Sequence, residues 1–500
     1  MMTDSPAMTL LSRIERKEME LLGWGVIDGT FFWDELHEIA LSVVEQFGNQ
    51  TGIYPDDLIH DLLTRRLLVP DGLLADHYRS RMAETVSLAR QLRQIFPGSD
   101  DAWETAPSLV SDFRLGLAER RYPRRGLSPE EFVREFSDRT GLKRLEVGAI
   151  EALLDWKTDF KLADFQLRAS VEAYLGASGG KDQGTVVAAG TGSGKTLAFY
   201  LPTLTWVAGV IGDDSWTKAV AIYPRVELIK DQVQTAYREA RRLDALLTTI
   251  GKRKVRIGVF FGDTPNTSKT VDRKPKWRKG LLGFTCPLFT CPHCADGQLM
   301  WRHDDVAKGI EQLVCEDCSG IVTPDEVSLT RNSMAKNPPD ILFTSTEMLN
   351  QEMLSDWNQH IFGVGIKDES KRPRFLLLDE IHVYNGTTGA QVALLIRRWR
   401  NAVGSPLSLV GLSATLEDAP SFFANLVGLN ESQVREVSPY ERELVREGME
   451  YNLILKADPT SGTSTLSTTI QTAMLMRRML DTSDEVSKGT IGQRLYAFAD

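Results

Sequence analysis

Three groups of residues in this chain have the types and spacing to do chemistry. Residues 189–196 read AGTGSGKT. Glycines at 190, 192 and 194 let backbone N–H groups approach an anion, and a helix starting at the lysine adds its positive end. In such a loop Gly190, Thr191, Gly192, Ser193 and Gly194 cradle phosphate oxygens. Lys195 then reaches the β/γ-phosphates and the Thr196 hydroxyl binds Mg²⁺. Ala189 stands where the general pattern has glycine. The second group, Asp379-Glu380-Ile381-His382, follows the apolar run Phe375–Leu378. Emerging from a buried strand, Asp379 would hold Mg²⁺ and Glu380 would orient and deprotonate an attacking water. Lys195, Asp379 and Glu380 are thus the expected catalytic set of an ATP site, with His382 lining the same pocket.

The third group is cysteine. All five cysteines lie between Cys286 and Cys318, and four fall into the pairs Cys291-x-x-Cys294 and Cys315-x-x-Cys318. Each pair makes a knuckle of two thiolates, and two knuckles enclose one tetrahedral Zn²⁺. A redox pair or an iron–sulfur cluster is the alternative. Cys286 is spaced less well for a knuckle, and His293 reads as a spectator. Ahead of these cysteines run Lys252, Arg253, Lys254, Arg256, Lys269, Arg273, Lys274, Lys276, Arg278 and Lys279. They are candidate phosphate contacts, with Trp277 as a candidate stacking surface; a solvated charged face is the competing reading.

Such side chains must be held by a scaffold. From about residue 160, β-rich apolar runs alternate with helix-like stretches: 184–190, 219–224, 255–262, 340–346, 374–380 and 407–415. Continuous apolar runs separated by helices indicate a parallel sheet buried on both faces, whose working loops lie at the strands' carboxyl ends. Residues 1–150 read instead as a helical accessory domain, with an N-cap, helix-start proline and capping-box glutamate in Ser128-Pro129-Glu130-Glu131. Residues 151–438 form the expected ATP-binding lobe, with 264–335 as a zinc-ribbon insert.

At 500 residues, 42% apolar, the chain has length and apolar content for several cores. Its 58 Lys and Arg against 68 Asp and Glu give a formal net charge of −10, which excludes a uniformly basic nucleic-acid coat but permits a local basic groove. No apolar run approaches the length that spans a bilayer, and the first residues lack a signal-peptide pattern, so a cytoplasmic location without membrane contact is expected.

Over roughly residues 160–500 these pieces resemble superfamily 2 helicases, in order. Phe165-Gln166 resembles the Q motif, whose glutamine reads the adenine edge. Tyr223-Pro224-Arg225 through Asp231-Gln232 resembles motif Ia, which touches the nucleic-acid backbone. Thr344-Ser345-Thr346-Glu347-Met348-Leu349 looks like motif Ib. Ser413-Ala414-Thr415 looks like motif III, which links ATP state to strand binding. The stretch LLLDEIHVYNGTTGAQVALLIRRWR, through Tyr384, Gly386 and Arg397-Arg398, is similar to Lhr/YprA-type helicases and to the large helicases of bacterial phage-defence and DNA-modification clusters of the DISARM, Druantia and Dpd types. The resemblance implies a RecA-like P-loop lobe and an ATP-dependent helicase or translocase using ATP and Mg²⁺, to which the cysteine pairs add Zn²⁺. It implies DNA in preference to RNA as the nucleic acid, and protein partners of a defence or repair complex. An ATP-dependent DNA-clamping switch without strand separation is the rival reading. Motifs V and VI are not visible, and Arg494–Asp500 looks like the opening strand of a second RecA-like lobe. Residues 439–500 are therefore expected to begin that lobe, in a chain cut short and weakly active as it stands.

Overall fold

The computed structural model describes residues 5–47, 52–72, 74–94, 105–155, 160–190, 192–224, 226–294, 297–414, 416–481, 486–493 and 495. They belong to two compact units, residues 123–444 and residues 1–122 with 445–500.

In the 123–444 unit eight strands form one sheet. They are β1 Gln183–Ala188, β2 Ala219–Ile222, β3 Ile257–Phe260, β4 Val327–Ser328, β5 Ile341–Thr344, β6 Phe375–Leu378, β7 Ser408–Ser413 and β8 Val434–Val437. Their order is β4-β3-β5-β2-β6-β7-β1-β8, and every neighbouring pair is parallel. Strands β2, β3, β5, β6 and β7 are buried at every position, which is why they read as unbroken apolar runs. The covering helices are α1 Pro129–Thr140, α2 Arg144–Leu154, α3 Asp164–Ser178, α4 Lys195–Val210, α5 Val226–Arg241, α6 Gly386–Val403 and α7 Ala419–Val427. Helix α4 is buried without a break from Ala198 to Ala208, so it lies inside the unit and not on its surface. The expected capping box starts α1: Glu131 N donates to Ser128 Oγ (3.2 Å) and Ser128 N to Glu131 Oε2 (2.9 Å).

The expected boundary at 150 moves to 122/123. Phe132, Phe136, Ile150 and Leu153 of α1 and α2 are buried in the same core as the sheet, so these helices belong to the lobe.

The four central strands start level: Ile341 pairs with both Ala219 and Ile257, and Phe375 with Ala219. An ion cluster at their amino ends holds that register. Asp340 Oδ1 accepts from Lys218 Nζ (2.7 Å) and Arg253 Nη2 (2.8 Å), while Oδ2 accepts from Arg253 Nη1 (2.6 Å) and the Arg256 N–H (2.8 Å). Lys218 and Asp340 are wholly buried. Nearby, Lys254 pairs with Glu326 at 2.8 Å and Arg256 Nε donates to Pro324 O (3.0 Å). This corrects the reading of Arg253, Lys254 and Arg256 as phosphate contacts, because their charge is already neutralised inside the fold.

Between β3 and β4 the chain builds a five-stranded antiparallel sheet from 278–279, 283–290, 298–302, 313–315 and 321–322. The expected insert at 264–335 is thus shorter, since Val327–Ser328 already pairs in the main sheet. Trp277 is buried with its ring 5.6 Å from Trp301, which corrects its reading as a stacking surface. The insert is fastened to α5: Thr290 N donates to Gln234 Oε1 (2.6 Å), Gln234 Nε2 returns a bond to Thr290 O (3.3 Å), and the Tyr237 and Phe289 rings meet at 5.4 Å.

The other unit is less purely helical than its sequence suggests. Helices Pro6–Gly23, Trp33–Phe47, Pro55–Thr64 and Arg81–Arg90 surround a three-stranded sheet of 31–32, 77–80 and 68–70. The 14-residue strands Val110–Pro123 and Leu444–Ala457 pair with each other. Residues 445–500 therefore group with residues 1–122, where the sequence suggests a separate second lobe. The physical reason is that strand pairing, together with helix Thr465–Met479 packed on Arg81–Arg90. Of the stretch Arg494–Asp500, all but Leu495 lies outside the described residues. No helix among the described residues is long and apolar enough to cross a membrane.

Among the described residues of this unit Glu15, Glu18 and Asp481 carry buried carboxyls, and Asp481 is paired with Arg81 at 3.0 Å. Glu15 accepts from the Tyr451 hydroxyl (2.7 Å), and Glu18 accepts from the Ser80 N–H (2.7 Å) and hydroxyl. Burial pushes Glu15 up to about 8 and Glu18 up to about 7.

Two outcomes are expected. Asp340→Asn leaves Lys218 buried without its counter-charge, and should cost about 3–5 kcal/mol in urea unfolding of the 123–444 unit. In the other unit folded Glu15 and Glu18 hold protons that unfolded glutamates release above about 4.5, so stability should fall as pH rises from 5 to 8. Calorimetry of Glu15→Gln should show a distinctly flatter pH dependence than wild type over that window.

Candidate nucleotide site

The carboxyl ends of β1, β7, β6 and β2 lie side by side, and the phosphate loop leaves the first of them. Gly194 precedes α4 with φ +89°, and a Cβ there would come 2.5 Å from Gln166 Nε2. Both the left-handed backbone and the close approach require glycine. Ser193 Oγ donates back to Gly190 O (2.7 Å), closing the turn. Helix α4 starts with no side-chain cap. Among the described residues no side chain competes for its first N–H groups, which can therefore serve an anion. Lys195 is its first residue, with Nζ donating to Ala189 O (2.7 Å) and Ser413 O (3.1 Å). Burial lowers the Lys195 pKa, and the Glu380 and Asp379 charges partly oppose that. Thr196 is half-buried one residue on.

Asp379 and Glu380 follow β6. Asp379 is buried, and burial together with the Glu380 charge pushes its carboxyl up to about 6, against the pull of the Glu380 N–H and Lys195. That N–H donates to Asp379 Oδ1 at 2.8 Å. Glu380 itself has φ +49°, a left-handed conformation costly for a side-chain-bearing residue, and it turns the chain sharply at the strand end. Glu380 Oε2 lies 3.3 Å from His382 Nδ1. Beneath the pair the Tyr200 and Tyr223 hydroxyls meet at 3.1 Å, both buried. The two halves of the site, 184 residues apart between Lys195 and Asp379 in the sequence, thus stand on the ends of β1 and β6 with β7 between them.

Other expected residues have different surroundings. Gln166 is buried, and both ends of its amide bond to the chain itself: Oε1 accepts from Ala163 N (2.8 Å) and Nε2 donates to Gly194 O (2.9 Å). The glutamine clamps the phosphate loop to α3. Thr344 is buried with its hydroxyl donated to Phe260 O (2.9 Å), and Ser345 caps the helix Thr346–Glu352 through Met348 N (3.3 Å). The Thr344 hydroxyl is sealed in the scaffold, which corrects its reading as a nucleic-acid contact; Ser345, Thr346 and Pro224 are half-buried at the edge. Ser413 is buried beside the loop with Ala414 next to it. Thr191, Arg225 and Thr415 lie outside the described residues. Arg397 donates to Asn425 O (2.6 Å) and Arg398 to Asn350 Oδ1 (3.4 Å), so this pair fastens α6 to its neighbours.

The four paired cysteines converge in the insert, with their sulfurs within 4.8 Å of one another. Cys291 and Cys318 Sγ are 3.5 Å apart, Cys294 and Cys315 Sγ 3.4 Å. The His293 and Gly320 N–H groups donate to Cys291 and Cys318 sulfurs, as knuckle backbones do. Thiolates about 2.3 Å from one tetrahedral ion lie roughly 3.8 Å apart, so the set fits a single such ion. Cys286 is buried apart from it, as its spacing suggests.

A parallel sheet with a glycine loop, a lysine opening the next helix and two acids two strands away at the same sheet edge defines a RecA-like P-loop nucleotide lobe. Residues 165–264 and 298–422 match the DEAD/DEAH box helicase family, so the chain carries a DEAD/DEAH helicase domain. The chain is 26% identical over 315 residues to Druantia protein DruE of Escherichia coli, covering 53% of this chain and 17% of that protein. It is 32% identical over 110 residues to the Lhr helicase/uracil glycosylase of Escherichia coli, covering 22% of this chain and 7% of that protein. It therefore spans less than a fifth of either relative's length. Among solved structures, the DUF1998 helicase MrfA bound to DNA aligns with TM-score 0.40 and 17% identity over 73% of this chain and 35% of that one.

Proposed function

We propose that this chain is the nucleotide-hydrolysing lobe of an ATP-dependent helicase or translocase acting on DNA. The observation carrying the reading is the convergence of Lys195, Asp379 and Glu380 on the uncapped start of α4. Lys195 holds the β/γ-phosphates, exchanging its present carbonyl partners for phosphate oxygens. Asp379 and Thr196 hold Mg²⁺, which supplies charge neutralisation of the phosphates when bound. Glu380, fixed by its own strained turn and next to His382, orients the attacking water and takes its proton. Because Lys195 also touches the Ser413 carbonyl, nucleotide arrival is felt directly at Ser413-Ala414-Thr415, the segment that would relay it to bound DNA. Pro224 and Thr346, at neighbouring strand ends, are the backbone contacts, and Arg225 joins them from its place in the sequence. Gln166 reads nucleotide occupancy through the loop it clamps, and adenine through its remaining lone pair and N–H.

Zn²⁺ is the ion that best suits four sulfurs at these distances, and it would act as a structural centre, since all four ligand positions are filled. The similarity to a Druantia protein supports a place in phage defence, with other proteins of such a system as partners in the cytoplasm.

Lys195→Ala should weaken Mg-ATP binding at least tenfold by fluorescence titration with a labelled nucleotide. Glu380→Gln should bind normally while turnover, measured with DNA present, falls roughly 10²–10⁴-fold. Unchanged affinity in Lys195→Ala sinks the assignment. Elemental analysis should find one zinc per chain; Cys291→Ser should lose it and loosen the insert to proteolysis, while Cys286→Ala keeps it.

A further inference from the structure

The segment 265–297, which lies between the two stretches matching the helicase family, contains a hairpin with an unusual tip. Arg278–Lys279 pairs antiparallel with the start of 283–290, leaving Gly280, Leu281 and Leu282 as the turn. Leu281 is 100% exposed and Leu282 72%. One exposed leucine is ordinary, but two adjacent ones on a braced turn are not.

The turn is held from several sides. Gly280 N donates to Gly283 O (2.8 Å), His303 N donates to Leu282 O (3.0 Å), and His303 Nε2 lies 3.0 Å from Gly280 O. A Cβ on Gly283 would strike Trp301 O at 2.2 Å, so the hairpin lies flat on the strand 298–302. Behind it Trp277 and Trp301 pack together. The tip is therefore rigid, and its leucines face solvent because the backbone is fixed that way.

Its root and its charge fix the direction in which it can work. Lys274 Nζ donates to Gly262 O (2.6 Å) and Lys276 pairs with Asp263 (3.3 Å), so the hairpin springs from residues just past β3. Strand β3 adjoins β5, which adjoins β2, and the carboxyl ends of these last two carry Thr346 and Pro224. Lys269, Arg273, Arg278, Lys279 and Arg302 are exposed around the hairpin, against Asp272 and, at the start of helix His303–Lys308, Asp304 and Asp305.

We infer that Leu281 and Leu282 form a wedge that unstacks base pairs where a DNA duplex meets its separated strands, while Arg278 and Lys279 hold the flanking phosphates. The inference rests on the DNA-translocase reading and adds a strand-separating element to it. An apolar pair presented on a stiff support between cations matches how proteins insert leucine between base steps, and the phosphate contacts supply the binding that offsets the lost stacking.

The test uses forked DNA with 2-aminopurine at the first paired position, in the presence of Mg²⁺ and a non-hydrolysable ATP analogue. Wild-type chain should raise the fluorescence severalfold on binding. L281S/L282S, whose changes touch only solvent-facing side chains and should leave the circular-dichroism melt unaltered, should bind the fork within about twofold of wild type and lose most of the increase. L281M/L282M should restore it. An increase undiminished in L281S/L282S overturns the wedge, and so does wild-type binding to fork and single strand with no increase at all. Failure of the wild type to bind either DNA overturns the wedge and the DNA-translocase reading together.

Discussion

The sheet of this lobe depends on the buried carboxylate of Asp340. A parallel sheet covered on both faces has no turn chemistry to set its register, because each strand is separated from its neighbour by a crossover. Here one side chain takes hydrogen bonds from residues preceding β2 and β3 while itself preceding β5. Three strands are thereby pinned at the same level. A charge cluster of this kind gains little net stability over a hydrophobic replacement. What it adds is alignment, and alignment at the amino edge dictates which residues share the carboxyl edge.

That division of edges explains the distribution of charge. The cations at 253–256 look in the sequence like a phosphate-binding run, yet they serve the amino edge and face acids from other strands. The opposite edge is left with few internal partners. Lys195 has only carbonyls, Asp379 has its neighbour's N–H, and Glu380 is turned outward by a strained backbone. A lysine held only by carbonyls and a carboxyl displaced upward by burial are what an active site retains when the scaffold is satisfied elsewhere. The Gln166 clamp belongs to the same logic, since it stiffens the one loop that must remain open to an anion.

The insert extends the edge instead of decorating it. It leaves the lobe just past β3 and returns at β4, and its second strand is bonded to α5, the helix following Tyr223-Pro224-Arg225. The cysteine cluster begins at Cys291, one residue beyond the Thr290–Gln234 bonds. An ion there would stiffen the end of the strand that carries the hairpin at its other end. Small antiparallel sheets with little core of their own need such a staple.

Much of this was legible in the sequence, because it depends on local spacing. The glycines and lysine of 189–196, the acids after Phe375–Leu378, the Cys-x-x-Cys pairs and the Ser128 cap are each defined within a few residues, and their backbone conformation follows from residue type. Unbroken apolar runs likewise announce a sheet buried on both faces. Tertiary structure alone decided what long-range pairing controls. It moved α1 and α2 into the lobe, joined 445–500 to the first 122 residues through strand pairing, turned Trp277 inward and engaged the hydroxyl of Thr344. A side chain's type fixes which bonds it can make, but the partner that satisfies it is chosen by which distant strand lies alongside, and no window of sequence contains both.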